Sequence, residues 1–158
     1  MNVDFTSNKD KVEDEMEEAI ARALVTCGLV AENYAKKLCA KDTGLLINSI
    51  TFALDGEPAQ ISTYKADKGD KEGTYSGTAE KTAARSVSLG TNVEYAAYVE
   101  LGTGKNTEGG RQDPWSYKDD KGQMHKTSGH EAKPFLKPAI ADHAQKYRDI
   151  INKELAGK

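Results

Sequence analysis

No apolar run in this chain approaches the roughly 20 residues that cross a bilayer, so a membrane span is not expected. The first twenty residues are acidic and lack the basic start and apolar core of a secretory leader. The expectation is therefore a protein that is cytoplasmic when made. Aromatic residues are scarce, at 7%, and mean hydropathy is low. A chain of 158 residues suits one domain with a modest core, much of it loop or solvated helix. Excess positive charge is missing too, with 22 Lys and Arg against 25 Asp and Glu. That balance argues against a strong sequence-independent grip on DNA, which needs clustered cations. Only two cysteines occur, Cys27 and Cys39, both within an expected helix. Twelve helical residues hold them about 18 Å apart, too far for a disulfide.

Catalytic signatures are missing as well. Gly104-Lys105 resembles the end of a P-loop, but Val99 stands where the first glycine belongs and Asn106 replaces the Ser or Thr. Gly102-x-Gly104 lacks the third glycine of a dinucleotide fingerprint, since Thr107 is there. No His-Glu-x-x-His and no Gly-x-Ser-x-Gly is present. His143 falls on an apolar helical stripe, the setting of a packed histidine. The one enzymatic alternative is a small metal-dependent hydrolase using Glu100, His125 and His130. The expectation is no enzyme, no cofactor and no metal.

What is present begins with helical periodicity. Val12, Met16, Ala19, Ala23, Cys27, Val30, Tyr34 and Leu38 recur at three- and four-residue steps, predicting one helix over about 8–40. Ser7 is the expected N-cap, and acidic residues 13–18 crowd the end where the helix dipole favours negative charge. Gly28 reads as a weak point. That acidic end is expected to project or to meet a partner. Ile50, Phe52 and Leu54 alternate with Thr51 and Ala53, predicting a strand over 49–55. A turn at Asp55-Gly56-Glu57-Pro58 then predicts a hairpin with a returning strand at 59–64. Lys65 to Arg85 is polar apart from Tyr75 and reads as a long excursion without structure. Further strands are expected at 86–91 and in a hairpin near 115–127 around Asp119-Asp120-Lys121-Gly122. Leu136, Ile140, His143, Tyr147, Ile151 and Leu155 predict one helix over about 135–156, with Pro138 in its first turn.

Four motifs in fixed order carry a family resemblance. The run V-E-Y-A-A-Y-V-E-L-G-T-G at Val93 to Gly104 resembles a Y-A-x-x-x-E-x-G-T signature through Tyr95, Ala96, Glu100, Gly102 and Thr103. Thr43, Gly44, Leu46, Ser49 and Ile50 match T-G-x-L-x-x-S-I. The stretch V-S-L-G-T-N-V-E-Y-A resembles a strand-into-helix passage, and Pro134, Phe135, Leu136 and Pro138 match P-F-L-x-P-A. The family is that of the gp-ten-like minor tail and tail-completion proteins of lambdoid siphophages and their prophages. Many relatives carry arginine where this chain has Ile47.

The resemblance implies a structural virion protein at the head-proximal end of a phage tail, in the neck. It would act as a tail-completion or tail-terminator subunit that joins tail to head. Its implied partners are copies of itself in a ring, six being the implied number, together with tail-tube and head-completion or connector proteins. DNA would pass through the channel without sequence-specific binding. The signature residues are expected in the core or at interfaces, and Tyr75 as the anchor of an assembly loop. Tyr95, Tyr98, Val99, Leu101, Phe135, Leu136 and Ile140 are expected to pack with the two long helices. The expected fold is α+β, with a long N-terminal helix and a C-terminal helix on a small, mainly antiparallel sheet spanning about 43–130.

Overall fold

The protein is described by a computed structural model that places residues 7–54, 62–75, 85–119 and 121–157. The fold is α+β. Helix α1 runs from Lys9 to Leu38 and the short α2 from Leu45 to Ser49. Strands β1 (Thr51–Leu54), β2 (Ser62–Lys65), β3 (Glu72–Tyr75) and β4 (Val87–Gly90) follow. Helix α3 (Ala96–Leu101) and a single 3-10 turn (Gly104–Asn106) lead to β5 (Trp115–Lys118) and β6 (Met124–Thr127). Helices α4 (Leu136–Ala141) and α5 (Ala144–Leu155) end the order.

α1 is the scaffold on which α4, α5, β1 and β4 rest. Its buried positions are Ala19, Ala23, Cys27, Gly28, Ala31 and Ala35, all small. Small side chains let the partner elements approach the helix axis closely. Gly28 therefore carries a packing role that propensity alone does not reveal. A Cβ built there would lie 2.3 Å from Cδ2 of Phe52 and 2.7 Å from its Cγ. The expected stripe is corrected at both ends, because Val12, Met16 and Leu38 are exposed while Ala31 and Ala35 are buried. Residues 9–18 are exposed throughout, since α1 runs past the elements that cover it. Asn8, not Ser7, occupies the N-cap position, and Ser7 Oγ accepts from the Lys9 N–H at 3.4 Å.

The strand pairing also differs from expectation. β1 pairs antiparallel with β4, in a register that sets Phe52 opposite Leu89, and β2 pairs with β3. Alternation marks a strand but not its partner. The apolar β1 finds the apolar Val87 and Leu89 over α1, whereas the polar β2 takes the polar β3. Part of the excursion expected at 65–85 is thus an ordered arm, and the Asp55–Pro58 turn and residues 76–84 lie outside the described residues. The β5–β6 hairpin forms where its turn residues place it. Among the described residues the strands make three separate two-stranded ladders in place of one sheet.

The C-terminal helix is two helices, broken at Asp142 and His143. The His143 ring stacks on Tyr34 with centroids 3.4 Å apart, and its backbone leaves the helical region at φ −115°, ψ 16°. The Tyr147 hydroxyl donates to the Ala139 carbonyl at 2.6 Å across the break. The central cluster joins Ala35, Cys39, Leu46, Ile50, Ala96, Phe135 and Ala139. Tyr95, Tyr98, Leu101 and Ile140 are not part of it and are exposed. A six-residue helix turns one side inward, and α3 turns the side that carries Ala96.

Gly28→Ala tests the close approach of β1 to α1. Helix propensity alone favours alanine by about 1 kcal/mol. The clash with Phe52 is expected to reverse that sign and cost about 1–3 kcal/mol, as overpacking does. A lowered thermal midpoint checks it, and an unchanged or raised midpoint rejects it.

Candidate functional site

The matched motifs converge on one end of the molecule. In α2, Ser49 is 2% exposed; its hydroxyl donates to the Leu46 carbonyl at 2.8 Å and meets Thr91 Oγ1 at 2.6 Å. Thr91 Oγ1 in turn accepts the Val93 N–H at 3.2 Å. This chain of hydroxyls ties the start of β1 to the passage from β4 into α3. Gly44 sits at φ 87°, where a Cβ would strike the Asp67 carboxyl. The Thr43 carbonyl accepts the Lys68 N–H at 3.1 Å. Asn48 donates to the Lys65 carbonyl and to Asp67, and Asn92 donates to the Thr74 carbonyl while accepting from the Tyr64 hydroxyl. These bonds fix the base of the β2–β3 arm. The hydrogen bond from Asn48, with Lys41 beside it, holds the Asp67 carboxyl below its ordinary range. Tyr75 is the last residue of β3, and its side chain lies outside what the structure describes.

Glu100 is the central contact. Its carboxylate accepts three backbone N–H groups: Phe135 at 2.7 Å, Leu136 at 3.0 Å and Lys137 at 2.9 Å. The first turn of a helix has N–H groups without intrahelical acceptors, and a carboxylate there gains from both hydrogen bonding and the helix dipole. Glu100 of α3 therefore caps α4 from across the chain. Beside it the Lys133 N–H donates to the Val99 carbonyl at 2.8 Å. Phe135 is fully buried, Leu136 is half-buried, and Pro134 is exposed at the entrance to the turn. Pro138 lies in the first turn of α4, where a missing N–H costs nothing. Burial, followed by the nearby Glu100 charge, pushes the Cys39 thiol up to about 11.

After α3 the chain is strapped down. The Thr103 N–H donates to the His130 carbonyl, the His130 N–H donates to Thr103 Oγ1, and the Lys105 N–H donates to the Ser128 carbonyl. Gly102 at φ 78° and Gly104 at φ 61° permit this contact; a Cβ on either would run into the backbone of 128–132. Two clefts flank this element. One of about 270 Å³ is lined by Thr43, Gly44, Leu46, Ile47, Tyr95 and Val99, among others. The second, about 300 Å³ and almost wholly apolar in lining, lies over Ala97, Tyr98, Leu101 and Gly102 to Gly104. Tyr98 and Leu101 are 60% and 65% exposed.

The hydrolase alternative finds no site in this geometry. Glu100 is engaged by three amides. His125 Nε2 is 2.8 Å from Asp119 on its own hairpin, and His130 Nδ1 is 2.9 Å from the Glu131 carbonyl. The bond with His125 lowers the Asp119 pKa, helped by the Gln123 N–H. Among the described residues no three His, Cys, Asp or Glu come together to hold a metal ion. No described helix is long and apolar enough to cross a membrane. Glu100 thus has a structural role that its position in the sequence did not reveal, because its acceptor sites face residues 35 to 37 positions away.

Glu100→Gln tests that role. The variant keeps one acceptor oxygen but turns an NH₂ group toward N–H donors, and an unsatisfied group costs about 1–3 kcal/mol. A thermal midpoint lowered by the matching amount is expected, with Glu100→Ala lower still. An unaltered midpoint in both variants would falsify the capping role.

No curated protein and no solved structure matches the chain. A family model described as "Bacteriophage HK97-gp10, putative tail-component" matches residues 4–102, well over half of the chain. The match holds the Thr43–Ile50 motif and the second motif from Tyr95 to Gly102, and Thr103 and Pro134–Pro138 lie beyond it. The chain belongs to the HK97-gp10-like family of bacteriophage tail components.

Proposed function

We propose that this tail component is a completion or terminator subunit, which closes the head-proximal end of the tail and joins it to the head. The observation that carries the reading is the family match, together with a signature element whose two halves do different work. Ala96, Glu100, Gly102 and Thr103 face inward or into the backbone and build a rigid support. Tyr98 and Leu101 on the same short helix stand in solvent. A subunit that must bind neighbours needs this combination of a fixed frame and an unfilled apolar face.

The partners in this reading are further copies in a ring of six, the tail tube below, and a head-completion or connector protein above. The ring surrounds DNA without reading its sequence, in keeping with a net charge of −3. The subunit is made in the host cytoplasm and ends in the neck of the virion. All residues 1–158 act as one domain, with the matched motifs as its core and interface positions. The β2–β3 arm, pinned at its base by Asn48 and Asn92, is a second contact surface.

The test is a phage or induced prophage from which this gene has been removed. Filled heads and separate tails are expected in lysates, and joining should return when the purified protein is added. Infectious particles without the protein, or a block before tails form, would reject the placement. In the complemented system His125→Ala with His130→Ala should leave the titre unchanged. A lost titre with normal folding and normal particle morphology would argue for catalysis instead.

A further inference from the structure

We infer that the acidic first turns of α1 in one copy dock into the Tyr98–Leu101 groove of the next copy, so that subunits associate head to tail. The inference rests on the ring reading above and supplies the contact that such a ring needs.

Two unfilled apolar features stand on the same chain. Val12 and Met16 are one helical turn apart, on one face of α1, and are 53% and 52% exposed. They continue the buried stripe of Ala19 and Ala23 beyond the body, as a narrow ridge on a rigid helix. The other feature is the groove of about 300 Å³ over Tyr98 and Leu101. These features cannot meet within one subunit. Ala96 of α3 shares one buried cluster with Ala35, and Ala35 lies about 30 Å along α1 from the Val12–Met16 ridge. The ridge and the groove therefore lie toward opposite ends of the subunit, as a head-to-tail contact requires.

Charge decides between this contact and a symmetric one. Residues 9–18 hold six carboxylates and two lysines. Pairing two such ends would bring like charge together, which is repulsive. The groove has Lys105 next to Gly104 and Lys133 on the segment bonded to Val99, with Arg111 over Trp115 nearby. Glu108, Asp113 and Glu131 lie in the same loops and balance the three cations, so the rim carries no excess negative charge and offers cations to the incoming helix. Two apolar side chains entering one groove make a small contact, and an isolated pair of subunits should be weak. Closure of a ring gives every subunit two such contacts, so assembly should pass from monomer to ring with few intermediates.

Cysteine cross-linking tests the pairing, with Cys27 and Cys39 left in place because both are buried. The variant carrying Met16→Cys and Leu101→Cys should form a ladder of disulfide-linked species under oxidation, ending at one closed size. Each single variant should remain uncross-linked. Dimers from either single variant would mean a symmetric contact and overturn the inference. Rings seen by mass measurement without cross-links in the double variant would also overturn it, while leaving the ring itself standing. A double variant that stays monomeric and uncross-linked at every concentration overturns it too; the joining assay judges the tail role separately. As a second measurement, Leu101→Asp alters an exposed residue and should keep the wild-type circular dichroism. It should weaken ring formation by roughly tenfold or more, and wild-type assembly by that variant would count against the groove.

Discussion

One carboxylate joins the two halves of this small fold. The body of α3 is only six residues long, too short to hold itself in water. α4 is equally short and begins with N–H groups that its own turns cannot satisfy. Glu100 resolves both problems with one contact, because its two oxygens take the Phe135, Leu136 and Lys137 amides. Once they are bound, Phe135 is held in the core beside Ala35, Ile50 and Ala139. The Thr103–His130 and Lys105–Ser128 bonds then follow along the same line. The outward face of α3 inherits its rigidity from these inward bonds.

The second constraint is the width of the contact along α1. A buried face made of alanine, glycine and cysteine contributes little apolar area per residue, but it brings neighbouring elements close. β1 lies over Gly28 through Phe52, and α5 runs along the same helix. Large residues on α1 stand at its edges and ends, where Val12, Met16 and Leu38 face solvent. This distribution makes α1 a thin central rod with a sparse core around it. It also leaves the first ten residues of the rod exposed, with Glu17 paired to Arg85 at 2.9 Å.

Much of this was legible in the sequence, for reasons specific to each element. Three- and four-residue spacing located α1 to within two residues at each end, because thirty residues give the period many repeats. The Asp119–Gly122 turn located the β5–β6 hairpin, and Asp119 Oδ1 accepts the Lys121 and Gln123 N–H groups there. Strand partners were not legible. A period of two in Ile50 to Leu54 says which residues share a face and is silent about which strand lies alongside. The orientation of α3 was hidden for a similar reason. Tyr95, Tyr98 and Val99 share one side by spacing, yet a six-residue helix has no long stripe to show which side the fold covers. The break at His143 depends on stacking against Tyr34, more than a hundred positions earlier. The use of Glu100 was equally remote from its neighbours in the chain, so the same residue read as part of the hydrolase alternative.

That ambiguity over Glu100 separates the structural reading from the catalytic one. A catalytic carboxylate must present an oxygen to a substrate or to water. The oxygens of Glu100 are turned instead toward three amides at 2.7 to 3.0 Å, in the geometry of a helix cap. Leaving those amides would strip the part-buried Phe135 and Leu136 N–H groups of their partner, at a cost of about 1–3 kcal/mol each. The residue is therefore held where it is by the groups it satisfies. What this element presents outward is Tyr95, Tyr98 and Leu101, the last two beside a glycine turn. In the proposed assembly such a surface would bind by shape and burial of apolar area.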